Sequence, residues 1–587
     1  MITIEFGAAE KQTLDRNSLF IKMYGNDFRQ SLERIKSLWN RTYLKQTCEW
    51  EVPYSCLKEV QELFADTEIR YLNEPPKAKL VTDDDILTGL DFNGFNLYDY
   101  QLEGVKYGLN HQNWLLLDEQ GLGKTLQAIT LARYKKAHNN LKHCLIVCGV
   151  NSLKWNWQRE IEKFCKDERG IVLGTKLNTK GKVVSVTVEE TKQQIKNCPE
   201  EFFWIINIEK MRASNKDLKV GNTIIDCLNE QISQGNLGMM ILDESHKIKN
   251  LQSSQANGIM HLDKSINKML MTGTLLVNNP YDLYCPMSIC GLINYNKWLF
   301  EKKFVIKDDF GQVMGYQNID ELHEVLYKSS LRRTKDLLDL PDKIYKQEWL
   351  EFSKEEQSVF NQVIGVEEFK LEKIDEPMET VSIITRMRQA TVCGGLLTDR
   401  CKTSTKFDRL NDILEEAKCN GQKVLVFCPF TEALKLGLEY CKQYKPKLVC
   451  GGMGDKIQQV IDEHENTNGF SVIFAQEATL GVGFTLTNTE ICVFLSPPWN
   501  RATYDQCSDR IHRIGQKKTV QIIDLLVKDT YDELVFKKLH GKGAMSDVII
   551  DGEEIESVKQ YFDDIGIEFK KDEKKQPLTL LDGISLI

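Results

Sequence analysis

Short apolar runs alternate with helical patterns between residues 91 and 280. Each run is rich in β-branched or large apolar residues, and polar residues or glycine follow it. The runs are NWLLLD, HCLIVCGV, EFFWIINIE, MMILDE and KMLMTGT. Continuous apolar runs of this length are typical of parallel strands covered by helices on both faces. The pattern therefore predicts an α/β lobe with a parallel sheet over residues 91–280.

The character of the chain changes after this lobe. Residues 281–405 are charged and helical in pattern, as in KEEQSVFNQVIGVEEFKLEKI, and are predicted to form a helical insertion or linker. Apolar runs then resume as KVLVFCPF, KLVCGG, FSVIFAQ, EICVFLSPP and VQIIDLLV. These runs predict a second α/β lobe with a parallel sheet over residues 406–540.

The two ends of the chain lie outside these lobes. Residues 1–90 are predicted to form a small, separate α+β module with a βαβαβ-like pattern. Residues 541–587 begin helical and end in the charged run KKDEKKQ, which is typical of a brace or solvated tail rather than a nuclear signal. The predicted fold class is thus α/β, with two parallel-sheet lobes, a helical insertion between them and a small N-terminal module.

Length, charge and cysteine content narrow the classes of protein. At 587 residues the chain is too long for one core. The net charge of −9 argues against a polycation that coats nucleic acid, although it does not exclude a local basic groove. Seventeen cysteines without a CxxC pair predict reduced, mostly buried thiols in a cytosolic or nuclear compartment. No apolar segment approaches 18 residues, so no membrane partner is expected.

The stretch DEQGLGKT has the features of a phosphate-binding loop between a strand and a helix. Gly121 and Gly123 would let backbone N–H groups approach phosphate oxygens. Lys124 would reach the terminal phosphates, and the Thr125 hydroxyl would bind Mg²⁺. The generic pattern has glycine where Asp118 stands, so a tight strand-to-helix connection is the alternative. The residues assigned to nucleotide binding here are Gln120, Gly121, Leu122, Gly123, Lys124, Thr125 and Leu126.

A second element, MMILDESHKIKN, places two adjacent carboxylates at the end of a buried strand. Burying two carboxylates costs free energy of folding unless they bind a cation or orient a reacting water. Asp243 is predicted to hold Mg²⁺, and Glu244 to orient and deprotonate the attacking water. An acidic strand end that caps the next helix is the alternative.

A third element, WNRATYDQCSDRIHRIGQ, lies in the second lobe. Thr503 and Gln506 fit a capping box, which predicts a helix start. On that helix Gln506, Arg510 and Arg513 would share one face. The arginines would act as arginine fingers on the γ-phosphoryl group; the alternative is ordinary pairing with carboxylates on a solvated face.

These elements occur in an order that resembles a known family. Together with YQLEG, TGTLLVNNP, LRRTK and ATLGVGFTL, they resemble the Swi/Snf-like ATPases of helicase superfamily 2 over residues 91–540. The DESH box and compact insertion are most similar to the annealing-helicase (HARP-type) branch. The resemblance implies two RecA-like lobes, ATP and Mg²⁺ as cofactors, and ATP-driven tracking along double-stranded DNA.

The resemblance also implies roles for individual residues. Gln101 would read adenine, and Thr272 with Thr274 would couple nucleotide state to the DNA groove. Gly481 and Gly483 would let backbone approach nucleotide and DNA, with Gln506 beside the arginine fingers. Two residues depart from the family pattern without removing a catalytic charge: Leu275 stands where proline is common, and Gln120 where methionine is common.

Nucleic acid would be contacted mainly through its backbone, because base readout would stall a tracking enzyme. The candidate contacts are Lys154, Trp155, Lys247, Lys249, Arg332, Arg333, Lys335, Trp499 and Arg501. Tryptophan is more often a core residue, and lysine pairs usually lie on a solvated face. The N-terminal module resembles the HARP-type module of annealing helicases in its pattern of Tyr24, Ile35, Lys36, Trp39, Tyr43 and Trp50. The alternative, which is favoured here, is that its aromatic residues form a small core, with Arg34 and Arg41 turned towards DNA.

The predicted function is therefore an ATP-dependent double-stranded DNA translocase that remodels DNA, with fork remodelling or strand annealing as outcomes. The alternatives are a strand-separating DNA or RNA helicase and, from another class, a non-hydrolysing nucleotide-gated clamp or scaffold. Expected partners are double-stranded or forked DNA and a protein bound through the N-terminal module. The expected compartment is the cytoplasm of a bacterium or phage-infected host, with the nucleus as the alternative.

Overall fold

The computed structural model describes residues 1–6, 18–24, 28–37, 42–44, 47–53, 57–72, 81–150, 153–178, 183–248, 253–273, 280–293, 297–307, 313–327, 329–364, 380–401, 403–453, 456–480, 484–498 and 501–540. The chain divides into two units, Met1–Leu337 and Leu338–Ile587. The predicted 281–405 insertion is thus not a unit of its own, because the division falls inside it. The predicted tail, residues 541–587, lies outside the described residues.

The N-terminal module is an α+β sheet whose topology is more antiparallel than predicted. Its elements are β1 (Ile2–Phe6), β2 (Ser18–Met23), α1 (Phe28–Ser37), β3 (Thr42–Leu44), β4 (Glu49–Pro53), α2 (Leu57–Leu63) and β5 (Ile69–Tyr71). The sheet order is β3-β4-β2-β1-β5, and only the β1–β5 pair is parallel.

The core of this module is mainly aliphatic. Ile4, Ile21 and Val52 on the sheet pack with Ile35 and Phe64 near the two helices. The aromatic residues were interpreted as this core, and that interpretation is wrong for two of them. Tyr24 and Tyr43 are 44% and 46% exposed, while Trp50 packs against the core from a half-buried position.

The rest of the first unit is built on a seven-stranded parallel sheet, as the apolar runs predict. Its strands are β6 (Asn113–Leu116), β7 (His143–Cys148), β8 (Gly170–Val172), β11 (Phe203–Asn207), β12 (Leu237–Asp243), β13 (Asn267–Met271) and β16 (Ser330–Leu331), with two hairpins, β9 (Thr175–Leu177) with β10 (Val183–Ser185) and β14 (Val305–Lys307) with β15 (Val313–Tyr316). The strand order in the sheet is β16-β6-β13-β12-β7-β11-β8.

Helices connect these strands. They are α3 (Asp83–Leu87), α4 (Asp99–Asn110), α5 (Lys124–Asn139), α6 (Leu153–Phe164), α7 (Val188–Lys196), α8 (Asn215–Val220), α9 (Ile224–Ser233), α10 (Ser254–Met260), α11 (Pro280–Ile289), α12 (Lys297–Phe304) and α13 (Ile319–Tyr327). Side-chain oxygens of Thr187, Ser214 and Thr223 cap the N-termini of α7, α8 and α9 in capping boxes. The apolar core includes Leu145, Trp204 and Leu242 from the sheet.

Four central strands of this sheet end level with one another. Leu116 of β6 lies opposite Met271 of β13, and Met271 lies opposite Asp243 of β12. Asp243 in turn lies opposite Cys148 of β7. The segments that follow these four strands therefore emerge along one edge of the sheet, which is where ligands bind in parallel α/β sheets.

The second unit contains a six-stranded parallel sheet with helices on both faces. Its elements are β17 (Lys343–Leu350), α14 (Lys354–Val363), α15 (Thr380–Val392), α16 (Thr405–Cys419), β18 (Lys423–Phe427), α17 (Thr431–Tyr440), β19 (Lys447–Val449), α18 (Lys456–Asn466), β20 (Ser471–Ala475), α19 (Glu477–Leu480), β21 (Ile491–Phe494), α20 (Arg501–Ser508), β22 (Val520–Val527) and α21 (Tyr531–His540). The order is β17-β22-β21-β18-β20-β19. Alternate residues of β18 enter two different clusters, Leu425 on one face and Val424 on the other.

Strand β17 was missed in the sequence. All eight of its residues pair with β22, yet its pattern KIYKQEWL mixes charged and apolar residues. The strand lies at the edge of the sheet, and Ile344 is 42% exposed. An edge strand needs no continuous apolar run. The sequence KIYKQEWL therefore lacks the pattern of a buried strand and resembles the charged insertion instead.

No disulfide joins the described cysteines, and most of their thiols are buried. Burial raises the pKa of Cys165, for example, to about 12. Within the described residues, no helix has both the length and the apolar character needed to cross a membrane.

Glu477, the first residue of α19, is a buried carboxylic acid in the second unit, with 7% of its surface exposed. Burial raises the pKa of Glu477 to about 8, against an opposing effect of Arg388. The folded state therefore keeps a proton that the unfolded chain releases above about pH 4.5. Stability is consequently lost as the pH rises from about 4.5 towards 8.

We expect Glu477→Gln to raise the melting temperature at pH 8 by several degrees, because removing an ionisable buried group is worth roughly 1–3 kcal/mol. At pH 5 the two proteins should melt together, since Glu477 is protonated there. Thermal unfolding at both pH values tests this, with Glu439→Gln on the exposed face of α17 as control. An equal shift at both pH values would contradict the assignment.

Candidate functional site

The glycine loop between β6 and α5 has the backbone geometry of a phosphate cradle. Gly121 and Gly123 have φ angles of +91° and +72°, in the left-handed region that favours glycine. Gly123 is the N-cap of α5, so the first N–H groups of the helix have no partner within the helix itself. Such a helix N-terminus attracts anions through these N–H groups and the helix dipole.

Lys124 is folded back over the start of this loop. Its ammonium donates to the carbonyl oxygens of Asp118 and Glu119, at 2.7 and 3.1 Å. Thr125, next along α5, is half-buried on the same turn. The lysine and the hydroxyl thus lie on the first turn of the helix, next to the loop, as predicted.

Helix α4 supports the loop from the other side. Gln101 is buried, and its Nε2 donates to the Leu122 carbonyl at 3.2 Å, while its Oε1 accepts from the Tyr98 N–H at 3.1 Å. The Tyr100 hydroxyl also donates to the Leu122 carbonyl, at 3.2 Å. A Cβ at Gly123 would overlap the Gln101 amide, so this glycine is required for close packing as well as for its φ angle. Both ends of the Gln101 amide bond protein groups, and its role with adenine stays a prediction.

Asp243 ends β12 and has a donor that sequence reasoning missed. The Trp157 indole N–H donates to Asp243 Oδ2 at 2.8 Å, and the Glu244 N–H donates to Oδ1 at 2.9 Å. Burial and the neighbouring Glu244 carboxylate raise the pKa of Asp243 to about 6, against the opposing effects of Trp157 and Lys124. A carboxylate that is desolvated to this extent fits a site for a cation.

Trp157 could have been found from the helical period. Leu153, Trp157, Ile161 and Phe164 are the buried residues of α6, and their spacing follows one helix face. Trp155, which was predicted to contact nucleic acid, lies off that face and is half-buried.

Glu244 has a strained backbone, with φ of +51°, which is uncommon for a residue other than glycine. Its Oε2 lies 3.1 Å from His246 Nδ1, and that nitrogen also lies 3.1 Å from the Thr272 hydroxyl. Thr272 itself is buried, and its N–H donates to the Leu116 carbonyl at the start of the phosphate loop. Strained residues of this kind concentrate at functional sites.

Two further glycines were missed, and both allow close packing at this edge. A Cβ at Gly149 would lie 2.8 Å from the Asp243 carbonyl oxygen and 2.9 Å from that of Glu244. A Cβ at Gly273 would lie 2.8 Å from Gln120 Cγ and 3.1 Å from Lys124 Nζ. Each glycine follows a strand adjacent to β12, so the rule that parallel strands end at one edge could have identified them.

The first unit therefore brings together the predicted loop, Lys124, Thr125, Asp243 and Glu244. The helix N-terminus and lysine can hold phosphate, and the oxygen groups of Thr125 and Asp243 are the ligands that Mg²⁺ prefers. Glu244 follows Asp243 directly, and its role as a base stays a prediction.

The arginine-bearing segment belongs to the second unit and differs from the prediction. Helix α20 begins at Arg501, not near Thr503, and ends at Ser508, so Arg510 and Arg513 lie beyond it in a turn. Arg510 is buried, and its Nε and Nη1 donate to the carbonyls of Gln506 and Phe484, at 3.0 and 3.1 Å. Arg513 is half-buried and donates to the Asp509 carbonyl at 3.1 Å. Their action as arginine fingers stays a prediction.

The prediction that Arg333 contacts nucleic acid is wrong. Arg333 is buried, and its guanidinium binds the carboxylate of Asp118 through Nε at 3.0 Å and Nη2 at 2.6 Å. Both arginines of LRRTK are predicted nucleic-acid contacts, but only the first of them, Arg332, is exposed.

The other nucleic-acid candidates have mixed surroundings. Lys154 is half-buried with its ammonium 5.2 Å from the Trp155 ring, and burial lowers the pKa of Lys154. Arg501 donates to Asp505 Oδ2 and to the Leu539 carbonyl, at 3.1 and 2.8 Å. In the N-terminal module the Arg34 guanidinium binds Asp66. The residues Lys249, Thr274, Leu275, Gly481, Gly483, Trp499, Trp39 and Arg41 lie outside the described residues.

The first unit thus combines a phosphate-cradle geometry with paired carboxylates on a parallel sheet, and a second parallel-sheet unit follows it. The SNF2-related domain matches residues 100–400, more than half of the chain, and the helicase conserved C-terminal domain matches residues 405–515. The chain belongs to the SNF2-related family. Its two parallel sheets, each covered by helices, confirm the predicted α/β fold class.

Named relatives share this region at low identity. An "Uncharacterized ATP-dependent helicase" of Mycoplasma pneumoniae is 28% identical over 82% of this chain and 45% of its own length. The "SWI/SNF-related matrix-associated actin-dependent regulator of chromatin subfamily A member 1" of Mus musculus is 25% identical over 78% of this chain and 44% of its own length. The chain thus spans less than half the length of these relatives.

A solved structure, the "Sulfolobus solfataricus SWI2/SNF2 ATPase core in complex with dsDNA", is 23% identical to this chain. The matched region covers 81% of this chain and 98% of the solved chain, with a TM-score of 0.35.

We expect Trp157→Phe to raise the Mg²⁺ concentration for half-maximal ATP turnover by roughly tenfold, because a partner that orients a metal ligand typically contributes that much. The substitution keeps the ring and removes only the N–H donated to Asp243. Trp155→Phe, on the same helix, is the matched control and should leave the Mg²⁺ requirement unchanged. Identical Mg²⁺ titrations for Trp157→Phe and the unaltered protein would contradict this role.

Proposed function

We propose that this chain hydrolyses ATP with Mg²⁺ and uses the energy to move along double-stranded DNA. The observation that carries the proposal is the common edge of the first sheet. There Lys124 follows β6, and Asp243 with Glu244 ends β12, in strands whose last residues are in register. A nucleotide held on the loop would therefore lie beside both carboxylates.

Each group at this edge has a separate task in the proposed reaction. The N-terminus of α5 and Lys124 bind the phosphates. Asp243 and Thr125 would hold Mg²⁺, which would neutralise charge on the phosphoryl oxygens. Glu244 orients a water molecule and accepts its proton, and the His246 contact keeps its carboxylate in place.

Support for DNA as the partner comes from the family and from the surface. Relatives include proteins named as a regulator of chromatin and as the "ISWI chromatin-remodeling complex ATPase ISW1", and chromatin contains duplex DNA. Exposed Arg332 and Lys247, with Lys154 stacked on Trp155, supply groups suited to phosphate and base contact.

Lys124→Ala and Glu244→Gln are expected to abolish phosphate release while the protein stays folded. The first change removes the phosphate ligand, and the second removes the base. Phosphate release with and without duplex DNA is the measurement, with Lys219→Ala on the exposed surface of α8 as the control. Full turnover in either variant, or no turnover in the unaltered protein, would favour a nucleotide-gated clamp or scaffold.

Arg513→Ala is expected to keep nucleotide binding and to lower turnover by roughly a thousandfold, as removal of an arginine finger does. Binding of a fluorescent ADP and the turnover number report the two effects separately. Unchanged turnover would show that Arg513 is not an arginine finger.

Strand separation is a second candidate function, because the segment 281–405, predicted as an insertion, contains an antiparallel hairpin. Strands β14 and β15 pair from Val305 with Tyr316 to Lys307 with Val313, and Ile306 and Met314 within these strands are 45% and 70% exposed. An exposed apolar hairpin can act as a wedge between strands. A strand-displacement assay beside a triplex-displacement assay distinguishes the two: duplex tracking displaces the triplex strand alone.

We further propose that the chain acts on forked DNA in the manner of the annealing-helicase branch, in the cytoplasm of a bacterium or phage-infected host. The N-terminal module supports this proposal by exposing Tyr24, Phe28 and Tyr43, which could bind DNA or a protein partner. Strand annealing and fork regression by the complete chain, compared with a chain lacking residues 1–80, test the proposal. Equal activity would assign the module another role.

A further inference from the structure

Residues 329–335, named here the edge segment, run beside the strand that leads into the phosphate loop. The N–H groups of Leu115 and Leu117 donate to the carbonyls of Ser329 and Leu331, at 3.0 and 2.8 Å. The ladder then continues beyond β6, since the Glu119 N–H donates to the Arg333 carbonyl at 3.0 Å. The edge segment thus pairs with the chain up to the first residues of the loop.

The side chain of Arg333 strengthens this pairing inside the protein. Its two bonds to the Asp118 carboxylate are bidentate, and its Nη2 also donates to Gln127 Oε1 at 2.7 Å. Gln127 Nε2 donates back to Asp118 Oδ2 at 3.0 Å, and Arg333 Nη1 donates to the Tyr100 carbonyl. Asp118 is fully buried, so this network is shielded from solvent. Charge-assisted hydrogen bonds are stronger in the protein interior than in water.

The network is directly connected to the ammonium group of Lys124. The two carbonyls that hold this ammonium belong to Asp118 and Glu119. Arg333 holds the side chain of Asp118, and the Lys335 N–H holds Glu119 Oε2 at 2.9 Å. The edge segment therefore fixes both peptide groups against which Lys124 is placed.

We propose that Arg333 is a positioning residue for the phosphate loop, which acts on Lys124 through Asp118 and contacts no nucleotide. Without it the loop would sample other conformations, and nucleotide binding would have to select the competent one. The apparent dissociation constant should rise by the inverse of the competent fraction, while the rate of the bound complex changes little. The proposal rests on nucleotide binding at the loop and is independent of tracking on DNA.

A purely structural role predicts a different result. If Arg333 only neutralised the buried carboxylate, its loss would lower the melting temperature, because an unpaired buried charge is strongly destabilising. The molecules that remain folded would then bind nucleotide as tightly as before. The dissociation constant of the folded protein therefore separates the two roles.

The test measures binding of mant-ADP with Mg²⁺ to the complete chain in the absence of DNA, together with thermal unfolding. We expect Arg333→Gln to weaken binding by about tenfold, which corresponds to one loop in ten being competent. In turnover assays KM should rise similarly while kcat stays within about threefold. Arg169→Gln, which changes an exposed arginine just before β8, should behave like the unaltered protein. A folded Arg333→Gln protein with unaltered mant-ADP affinity and KM would overturn the proposal.

A double variant tests the route through Asp118. Asp118→Asn with Arg333→Gln removes both buried charges and leaves two amides that can bond each other. We expect the melting temperature and the affinity for mant-ADP both to recover relative to Arg333→Gln. Recovery of the melting temperature without recovery of affinity would overturn the route.

Two glycines of α4 provide a test that leaves every charge in place. This test still shows whether Arg333 positions the phosphate loop if Arg333→Gln does not fold. A Cβ at Gly104 would overlap Gln127 Oε1 and lie 2.8 Å from Arg333 Nη2. A Cβ at Gly108, one turn later, would lie 2.6 Å from Trp114 and 2.7 Å from Leu131. We expect only Gly104→Ala to weaken mant-ADP binding, several-fold. Equal affinities in Gly104→Ala and Gly108→Ala would overturn the proposal.

Discussion

The register of four parallel strands is the constraint on which the site depends. Because β6, β13, β12 and β7 end level with one another, the glycine loop, the residues after Met271, the acidic pair and Gly149 all emerge at one edge. None of these segments is adjacent to another in sequence. A slip of one residue in β12 would turn Asp243 to the opposite face of the sheet and separate it from Trp157.

Much of the architecture could be predicted because buried parallel strands have a local signature. The ten apolar runs are all strands, and the loop glycines, Lys124 and the Asp243–Glu244 pair lie where their motifs place them. Edge elements lack that signature. Strand β17 is charged and half-exposed, β16 contains only two residues, and the N-terminal hairpins depend on pairings between distant segments.

Burial of individual polar side chains could not be read from their local sequence. Arg332 and Arg333 are neighbours of the same type, but one is exposed and the other pairs with a carboxylate 215 residues away. Successive side chains of an extended segment point to opposite faces, so neighbouring arginines differ in burial. The local sequence does not show which of the two is buried or which residue pairs with it. Trp155 and Trp157 are likewise close in sequence and differ in burial. In this case the helical spacing of Leu153, Trp157, Ile161 and Phe164 identifies Trp157 as the buried one.

The distribution of thiols has a practical consequence. Among the described cysteines, only Cys48 in the first unit and Cys419 in the second are exposed, whereas most of the others are buried and have raised pKa values. Thiolates react with maleimides far faster than thiols do, so among the described cysteines brief modification near neutral pH should favour these two positions. Each unit of the natural chain thus carries its own attachment point for a dye, and changes in their separation could be followed by energy transfer as nucleotide is added.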